Sequence, residues 1–444
     1  MGTFIFKTDK SPKAAYYTLG CKLNYAETSA IGARLSAIGI ESVSEGETPD
    51  ICVINTCSVT ETADKKARTL IRRIIRTNPN AFIVVTGCYA QLKPQDVASI
   101  EGVDLVLGSK EKLNITDYID SLNKKKTAAV EVGEFTSKDL FSPSCSRGDR
   151  TRFFLKVQDG CDYFCSYCTI PYARGRSRSG WIKDIVSQAR SAAADGGSEI
   201  VITGVNIGDF GKNTGESFEE LLHRLDEVKG IKRFRISSIE PNLLTDSIIE
   251  WIARESRAYM PHFHIPLQSG SDIVLKKMNR RYDTSLFAER VNKIRHLIPD
   301  AFIGVDVIAG ARGETEEEWR KSYEFIESLD ITRLHVFPYS ERPGTAALQL
   351  DTIVDKQERD RRTAALISLS DSKLRQFMEK SIGSVRPVLW EQKIDANNLM
   401  SGLTDNYIRV VAPYDKMLVN NISSVILSGI DDKHPETMKA DHLQ

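Results

Sequence analysis

The stretch "CDYFCSYC", residues 161–168, places Cys161, Cys165 and Cys168 within eight residues, with the aromatic Tyr167 directly before the last of them. Three thiols so close together are typical of a metal site. A structural zinc ion needs four ligands, and no histidine follows closely enough to complete the set. A [4Fe–4S] cluster normally takes four thiolates, so three would leave one iron open to a ligand. The spacing therefore favours an iron–sulfur site over zinc.

Composition places the chain among globular proteins of several domains. Its 444 residues, 41% of them hydrophobic, suggest about three domains of ~150 residues each. Sixty basic residues balance sixty acidic ones, so no overall field attracts nucleic acid or an anionic membrane. The first residues lack the apolar run of a signal peptide, and we expect a cytoplasmic protein with no membrane partner. In that reducing compartment its eight cysteines are better interpreted as metal ligands or reactive thiols than as disulfides.

Residues 1–125 contain three β-prone runs that each end in a cysteine: "YYTLGC" at Cys21, "ICVINTC" at Cys57 and "FIVVTGC" at Cys88. Helical patterns separate these runs, which predicts an N-terminal α/β domain with a parallel sheet. Ligands of such sheets bind beyond the carboxyl ends of the strands. The three cysteines are expected at that edge.

Residues 151–380 alternate six strand patterns with helical patterns and close with a long helix. Six units are too few for an eightfold barrel and predict a partial (β/α)6 barrel, with "CDYFCSYC" after its first strand. A Lys- and Ser-rich stretch at 126–150 is interpreted as a linker. Short β-prone runs with Asn, Asp and Gly turns at 383–444 predict a small antiparallel β-barrel. The remaining cysteines, Cys52 in a strand and Cys145 in a loop, are interpreted as structural.

The motif Cys-x3-Cys-x-aromatic-Cys after the first strand of a partial barrel resembles the radical S-adenosylmethionine (SAM) enzymes. Further stretches resemble the methylthiotransferases of that group over nearly the whole chain: "TLGCKLNYAET", "INTCSVT", "TGCYAQ", "CTIPYARGRSRS", "TGVNIGDFG", "HIPLQSGSD", "FPYSERPGTAA" and "GLTDNYIRV". The resemblance implies two [4Fe–4S] clusters, SAM as cofactor, and a C-terminal RNA-binding domain of the TRAM type. It also implies a transferase that inserts a methylthio group at C2 of an adenosine in tRNA.

Matching residues follow from this resemblance. It assigns the radical SAM cluster to Cys161, Cys165 and Cys168, and the second cluster to Cys21, Cys57 and Cys88. Near the strand ends, the residues expected to contact SAM are Tyr167, Gly204, Asn206, Ser238 and Gln268. Turn formation alone would also select Gly204 and Asn206, so both interpretations stay open.

The sequence and the resemblance also predict the partners of this protein. Arg174, Arg176 and Arg178 of "ARGRSR" adjoin the radical cluster, and we predict that they contact RNA phosphates. The expected RNA is a tRNA anticodon stem-loop. The resemblance further implies an electron donor of the flavodoxin or ferredoxin type and a source of sulfur.

Two details concern the substrate and the cofactor wall. The stretch "LGCKLN" resembles the branch that acts on N6-threonylcarbamoyladenosine at tRNA position 37. The alternatives are the same chemistry on isopentenyladenosine-37, or an iron–sulfur RNA-binding protein without catalysis. The family's usual Gly-Phe-Pro-Gly-Glu loop reads "GARGE" at 310–314, with Ala311 and Arg312 in place of Phe and Pro, so the cofactor wall is expected to differ there.

Overall fold

The computed structural model describes residues 11–44, 46–119, 121–136, 139–146, 151–394 and 398–442. These form an N-terminal α/β sheet, a central partial barrel and a small C-terminal barrel, which confirms the predicted fold class. In these ranges no helix combines the length and the apolarity needed to cross a membrane.

The N-terminal domain is a parallel sheet between two layers of helices. Its strands are β1 (Lys13–Thr18), β2 (Glu41–Ser42), β3 (Ile51–Thr56), β4 (Phe82–Gly87), β5 (Leu105–Leu107) and β6 (Ala129–Glu131), and its helices are α1 (Lys22–Ala37), α2 (Glu61–Thr77), α3 (Cys88–Leu92), α4 (Pro94–Ala98) and a 3-10 turn at Lys112–Asp117. The strand order is β2-β1-β3-β4-β5-β6. The apolar side chains of α1 pack on one face of the sheet and those of α2 on the other.

Strand register brings the three N-terminal cysteines to one edge, as predicted. Thr56 pairs with Gly87 in the last register position of β3 and β4, so Cys57 and Cys88 both follow directly. Cys21 follows the neighbouring strand β1 after a short turn. Cys52 lies buried inside β3, where it packs in the apolar core.

The central domain holds the six predicted strands. Its strands are β7 (Ser144–Cys145), β8 (Arg152–Lys156), β9 (Gln158–Asp159), β10 (Arg178–Ser179), β11 (Glu199–Thr203), β12 (Arg233–Ile236), β13 (His262–Gln268), β14 (Phe302–Ala309) and β15 (Arg333–Pro338). Parallel pairs join β8, β11 and β12 on one side and β13, β14 and β15 on the other. Parallel bridges Phe234–Tyr259 and Ser238–His264 connect the two halves into one open barrel.

Helices cover the outside of this barrel. They are α5 (Ile170–Arg174), α6 (Ile182–Ala194), α7 (Phe218–Asp226), α8 (Asp246–Arg254), α9 (Asp272–Lys277), α10 (Thr284–Leu297), α11 (Glu316–Ser328) and α12 (Lys356–Ser381), with 3-10 turns at Ile207–Asp209 and Ala346–Gln349. Helices α7 to α12 each begin at a Ser, Thr or Asp whose side-chain oxygen accepts a backbone N–H of the first turn. Such caps satisfy donors that a helix start leaves unpaired and fix where each helix begins.

The predicted linker at 126–150 needs correction. Strand β6 pairs with β5 and completes the N-terminal sheet, and β7 pairs antiparallel with β8 at the edge of the barrel. Cys145 therefore lies buried in a strand and not in a loop. Strands of two or three residues leave too little alternation in a sequence to be recognised, and their partners, not their own composition, order them.

The C-terminal domain is a closed five-stranded barrel. It contains β16 (Val385–Ile394), β17 (Leu399–Thr404), β18 (Arg409–Pro413), β19 (Ile422–Ile430) and β20 (Met438–His442), with a 3-10 turn at Lys416–Leu418, in the order β16-β17-β18-β20-β19. One pair, β18 with β20, is parallel, which corrects the all-antiparallel prediction. Antiparallel neighbours alternate in direction, so a closed barrel with an odd number of strands must contain one parallel pair.

This barrel docks on the amino ends of the central strands. Arg235 of β12 donates to the carbonyl oxygens of Thr404 and Asp405, at 2.7 Å each. Arg152, the first residue of β8, pairs with Glu391 at 3.3 Å. The C-terminal domain therefore covers the end of the central barrel opposite to the cysteine loop.

Candidate functional site

The cysteine loop of the central barrel follows β9 and begins at Cys161. Its start is fixed by the backbone N–H of Cys161, which donates to the carbonyl of Gly175 at 3.1 Å. The three thiols are neighbours: burial, and then the nearby thiols of Cys165 and Cys161, raise the pKa of Cys168 to about 12. Such thiols stay protonated until a metal takes the place of the proton.

Each of these three sulfurs accepts one N–H hydrogen bond. The donors are the backbone of Tyr163 to Cys161 at 3.4 Å, the backbone of Ile170 to Cys168 at 3.4 Å, and Nη1 of Arg280 to Cys165 at 3.1 Å. Hydrogen bonds to sulfur stabilise the thiolate form and help to set the potential of an iron–sulfur cluster. This donor set fits a [4Fe–4S] cluster held by three cysteines.

Arg280 is the residue here that sequence reasoning missed. Beyond Cys165, it donates from Nε to Tyr282 Oη at 3.0 Å and from Nη1 to Tyr167 Oη at 3.3 Å, and its Nη2 contacts the Glu240 carboxylate. Tyr167 therefore accepts a hydrogen bond from the same arginine that donates to the Cys165 sulfur. In the sequence Arg280 is one of two adjacent arginines after α9, and no local pattern distinguishes it from Arg281.

If Cys161, Cys165 and Cys168 hold a cluster as predicted, replacing Arg280 by methionine is expected to lower its reduction potential. The change removes a positive charge and a hydrogen bond at Cys165, so we expect a negative shift on the order of tens of millivolts. Potentiometric titration followed by electron paramagnetic resonance measures it. The matched control is Arg281→Met, because Arg281 is exposed and makes no hydrogen bond to a thiol within the described ranges. An unchanged potential at full iron content would contradict the role of Arg280.

The turn after β11 contains two of the residues expected at the cofactor. A Cβ added at Gly204 would lie 2.9 Å from the carbonyl oxygen of Gln158, so close packing alone requires glycine there. Asn206 is different: it is buried, and it lies near the Tyr163 hydroxyl, which accepts an N–H of Asn242 at 2.9 Å. Neither amide atom of Asn206 has a hydrogen-bond partner among the described residues. A buried unpaired amide is costly, and a polar ligand would satisfy it.

Ser238 and Gln268 lie at the carboxyl ends of β12 and β13, as expected for cofactor contacts. Ser238 is half-buried beside His264. Gln268 is buried and has a φ of +70°, next to a bulge in the pairing of β13 with β14. A left-handed conformation costs a non-glycine residue about 1 kcal/mol or more and is concentrated at functional sites.

The departure at "GARGE" is accommodated by new contacts. Arg312 pairs with Glu341 and donates to the carbonyl oxygens of Leu348 and Leu350, at 3.1 and 3.2 Å. Ala311 is buried against the apolar cluster that includes Tyr167. The arginine therefore points away from the lumen and ties this wall to the chain that follows β15.

The second set of thiols lies at the carboxyl edge of the N-terminal sheet. Cys57 and Cys88 are buried, and Cys21 is exposed. A Cβ on Gly20 would lie 3.1 Å from the Cys57 sulfur, so glycine, at a φ of +109°, lets the two loops meet. Burial, followed by the thiols of Cys88 and Cys21, raises the pKa of Cys57 to about 12. These three thiols are therefore neighbours as well.

The donor sets fit iron–sulfur clusters better than zinc. Each set offers three cysteines: Cys161, Cys165 and Cys168 in the barrel, and Cys21, Cys57 and Cys88 at the N-terminal sheet. A zinc site requires four such ligands around a single point. A [4Fe–4S] cluster instead takes its thiolates on separate irons, which two triads of neighbouring thiols can supply.

A buried charge network joins the two sets of thiols. Arg174, at the end of α5, donates to Glu27 of α1 at 3.0 Å and to Asp159 at 3.0 Å. Lys156 also pairs with Glu27, at 2.9 Å, and Lys112 completes the cluster. Burial alone would raise the pKa of Glu27, but Arg174 and the two lysines outweigh it and hold the pKa below its ordinary value.

Two further contacts tie the domains at the same edge. Nη2 of Arg174 donates to Asn24 at 2.6 Å, and Asn24 itself donates to the carbonyl of Thr56, next to Cys57, at 3.1 Å. On the other side, Arg342 pairs with Asp64 of α2 at 3.0 Å. The carboxyl edge of the sheet and the carboxyl end of the barrel therefore face each other.

The predicted RNA contacts need correction for two of the three arginines. Arg174 is 2% exposed and fully engaged in the buried network, so it cannot reach a phosphate. Arg178 points into the same network and pairs with Asp159 at 3.2 Å. Arg176 has 68% of its side chain exposed and remains a candidate for RNA contact. The sequence pattern "ARGRSR" could not separate the three, because a five-residue helix and a turn rotate them in different directions.

Comparison with known proteins identifies the family. Residues 13–108 match the family described as "Uncharacterized protein family UPF0004", and residues 155–326 match the "Radical SAM superfamily". The threonylcarbamoyladenosine tRNA methylthiotransferase MtaB of Bacillus subtilis is 40% identical over 420 residues, covering 93% of this chain and 92% of the relative. The chain belongs to the radical SAM methylthiotransferase family. It is therefore a transferase of a family that uses SAM and two [4Fe–4S] clusters.

Other methylthiotransferases match over similar lengths. The MtaB protein of Thermotoga maritima is 37% identical, over 88% of this chain and 89% of its own. A tRNA-2-methylthio-N(6)-dimethylallyladenosine synthase of Clostridium tetani is 31% identical, over 90% of each. Among solved structures, the radical SAM methyltransferase TsrM of Kitasatospora setae has a TM-score of 0.53 at 15% identity, over 76% of this chain and 77% of that chain. That likeness shows the shared fold.

Proposed function

We propose that this methylthiotransferase converts N6-threonylcarbamoyladenosine at tRNA position 37 into its 2-methylthio derivative. The observation that carries the proposal is the pair of thiol triads, one on each of two strand edges that face each other across Arg174. The relatives at 37–40% identity carry the name of this activity, and the dimethylallyladenosine synthases match at 30–31%. The isopentenyl substrate remains the alternative.

Each domain has a separate task in this proposal. The C2–H bond of adenosine is inert to acids, bases and nucleophiles, and the bound clusters and SAM supply the radical chemistry and the sulfur. The residues of the chain would bind and orient the clusters and SAM. Cys161, Cys165 and Cys168 would bind the cluster that takes SAM, while Cys21, Cys57 and Cys88 would bind the sulfur-carrying cluster. Asn206 and Gln268 would contact SAM from the strand ends.

The lumen of the barrel favours a charged substituent on the adenosine. On its inner side, His264 bonds Asp306 at 2.8 Å and stacks on His335 with a centroid distance of 4.9 Å. Lys22 follows Cys21 directly, and its charge, after burial, His264 and Arg333, helps to lower the pKa of His335 to about 4 against the opposing carboxylate of Asp306. A threonylcarbamoyl group carries a carboxylate that a lysine and polar neighbours suit. An isopentenyl group is a hydrocarbon and provides no charge or hydrogen-bond acceptor for these side chains.

The decisive assay uses two anticodon stem-loops, one with threonylcarbamoyladenosine and one with isopentenyladenosine. The reconstituted enzyme is given a reductant, SAM and sulfide under anaerobic conditions, and nucleosides are measured by mass spectrometry. Methylthio product on the first stem-loop supports the proposal, and product on the second alone supports the alternative. A protein that makes neither product nor 5′-deoxyadenosine would be a non-catalytic RNA-binding protein.

Replacing Lys22 by methionine is expected to lower kcat/KM for the threonylcarbamoyl stem-loop by about tenfold or more. Hydrogen bonds to a charged group contribute about 1.5–3 kcal/mol, and each 1.4 kcal/mol corresponds to about a tenfold change. Lys65→Met, at an exposed lysine of α2, is the matched control. Because Lys22 adjoins Cys21, iron content is measured in both variants. An unchanged kcat/KM at full iron content would contradict a role for Lys22 in substrate recognition.

The remaining partners follow from the chemistry. The C-terminal barrel, which we assign as a TRAM-like domain, would bind the stem of the same tRNA. Reduction requires an electron donor such as a flavodoxin or a ferredoxin, and turnover requires a source of sulfur. The proposal places the enzyme in the cytoplasm with its tRNA.

A further inference from the structure

Aromatic side chains are exposed beside the radical cluster loop. Phe164, directly before Cys165, is 37% exposed, and Tyr172 of α5 is 57% exposed. Their rings meet edge to face, with centroids 6.3 Å apart and an interplanar angle of 83°. Two adjacent exposed aromatic rings next to a catalytic loop are unusual for a surface that faces only water.

Arginines stack on the aromatic rings of the same loop. The guanidinium of Arg176 lies 4.5 Å from the centroid of Phe164, and that of Arg281 lies 4.0 Å from the centroid of Tyr163. Both arginines are exposed. Arg176 is 3.6 Å from Asp162, an exposed pair that contributes little and that an incoming phosphate can replace. We call Phe164, Tyr172, Arg176 and Arg281 the rim platform.

The platform is held rigidly. Phe164 has a φ of +49°, a conformation that costs a bulky residue energy, and Asn279 donates to its carbonyl at 3.2 Å. A Cβ on Gly160 would lie 2.1 Å from the carbonyl oxygen of Arg176, so the chains that carry Phe164 and Arg176 approach as closely as backbones allow. A left-handed backbone at a bulky residue that is held in this way is typical of a functional site.

We propose that the rim platform stacks on unpaired bases of the anticodon loop that flank the adenosine being modified. This inference rests on the proposed function, and it names the surface that receives the RNA. Single-stranded RNA is recognised by stacking of splayed bases on aromatic rings and on guanidinium planes, and arginine can also reach a phosphate. The platform offers both features beside the loop that would hold SAM.

The test measures binding of a threonylcarbamoyl stem-loop to the reconstituted enzyme by fluorescence anisotropy. Tyr172→Ala is expected to raise the Kd about 5- to 150-fold, which corresponds to the loss of one stacked base. Tyr172→Phe keeps the ring and is expected to restore wild-type affinity. Arg176→Glu is expected to weaken binding, and its deficit relative to the wild type should grow as salt is lowered, because its repulsion of phosphate is then less screened. Its matched control is Arg375→Glu on α12, where the arginine side chain is 70% exposed.

The possible outcomes distinguish a failure of the rim-platform proposal from a failure of the proposed function. Iron content and the visible spectrum check that each variant holds its clusters. If the wild type binds and modifies the stem-loop but Tyr172→Ala and Arg176→Glu bind it as tightly as Arg375→Glu does, the platform is refuted and the function stands. If the wild type neither binds nor modifies any stem-loop, the function fails and the platform with it.

Discussion

Replacing Cys21, Cys57 and Cys88 together by alanine is expected to abolish methylthio transfer while 5′-deoxyadenosine is still formed. The three thiols lie at the edge of the N-terminal sheet, in a different domain from Cys161, Cys165 and Cys168. The hydrogen bonds to the barrel thiols come from Tyr163, Ile170 and Arg280, all in the barrel itself. The radical cluster should therefore survive the change, with about four irons per chain remaining.

The measurement is an anaerobic assay with reductant, SAM, sulfide and a threonylcarbamoyl stem-loop, in which both products are quantified. The reciprocal variant, with Cys161, Cys165 and Cys168 changed to alanine, is the matched control and should lose 5′-deoxyadenosine while it keeps about four irons. Methylthio product at the wild-type rate from the first variant would refute the N-terminal site as the sulfur carrier. Loss of all iron from either variant would show that the six thiols hold one shared site.

The sequence was informative where chemistry and strand ends coincide. The positions of Cys21, Cys57 and Cys88 could be predicted because each follows an apolar strand, and parallel strands bring their carboxyl ends to one edge, whereas their role as cluster ligands stays a prediction. The six strands of the barrel were recognisable because each is separated from the next by a helical pattern. In contrast, β6 and β7 were interpreted as linker, since two or three residues show no alternation.

Residues that act across domains could not be found in the sequence. Arg174 and Glu27 are 147 positions apart, and Arg280 and Cys165 are 115 apart. The local pattern around Arg174 suggests an exposed basic patch, whereas its side chain is buried and donates hydrogen bonds to Asn24 and Glu27 of α1. The structure also weakens the argument that Gly204 contacts SAM. The close approach of Gln158 requires a glycine at this position whether or not SAM is bound nearby.

The buried network also predicts sensitivity to acid. Folded-state pKa values of Glu27 and Asp159 are below their ordinary values, because the charges of Arg174 and Lys156 outweigh burial. A carboxylate with a lowered pKa stabilises the fold above its unfolded pKa of about 4, and this contribution is lost as pH falls through the folded value. The contact between the two domains should therefore be stable at neutral pH and weaken only in strong acid.

Replacing Arg174 by alanine is expected to destabilise the contact between the N-terminal domain and the barrel by roughly 3–5 kcal/mol, since it leaves Glu27 and Asp159 with less compensation in a buried site. The pKa of Glu27 should rise towards its unfolded value, so that less of the variant's stability depends on keeping this carboxylate ionised. Arg176→Ala is the matched control, because that side chain is 68% exposed and Arg174 is 2% exposed.

Limited proteolysis and calorimetry from pH 5 to 8 measure the effect of Arg174→Ala, because a chain of three domains is not expected to unfold in a single step. We expect cleavage between the first two domains and a first unfolding transition that is lower than that of the wild type throughout this pH range, which lies above the unfolded pKa of a carboxyl group. Methylthio transfer should also fall, since Arg174 and Asn24 hold the loops of Cys21 and Cys57 against the barrel. If Arg174→Ala unfolds like Arg176→Ala at every pH, the network does not position the two domains.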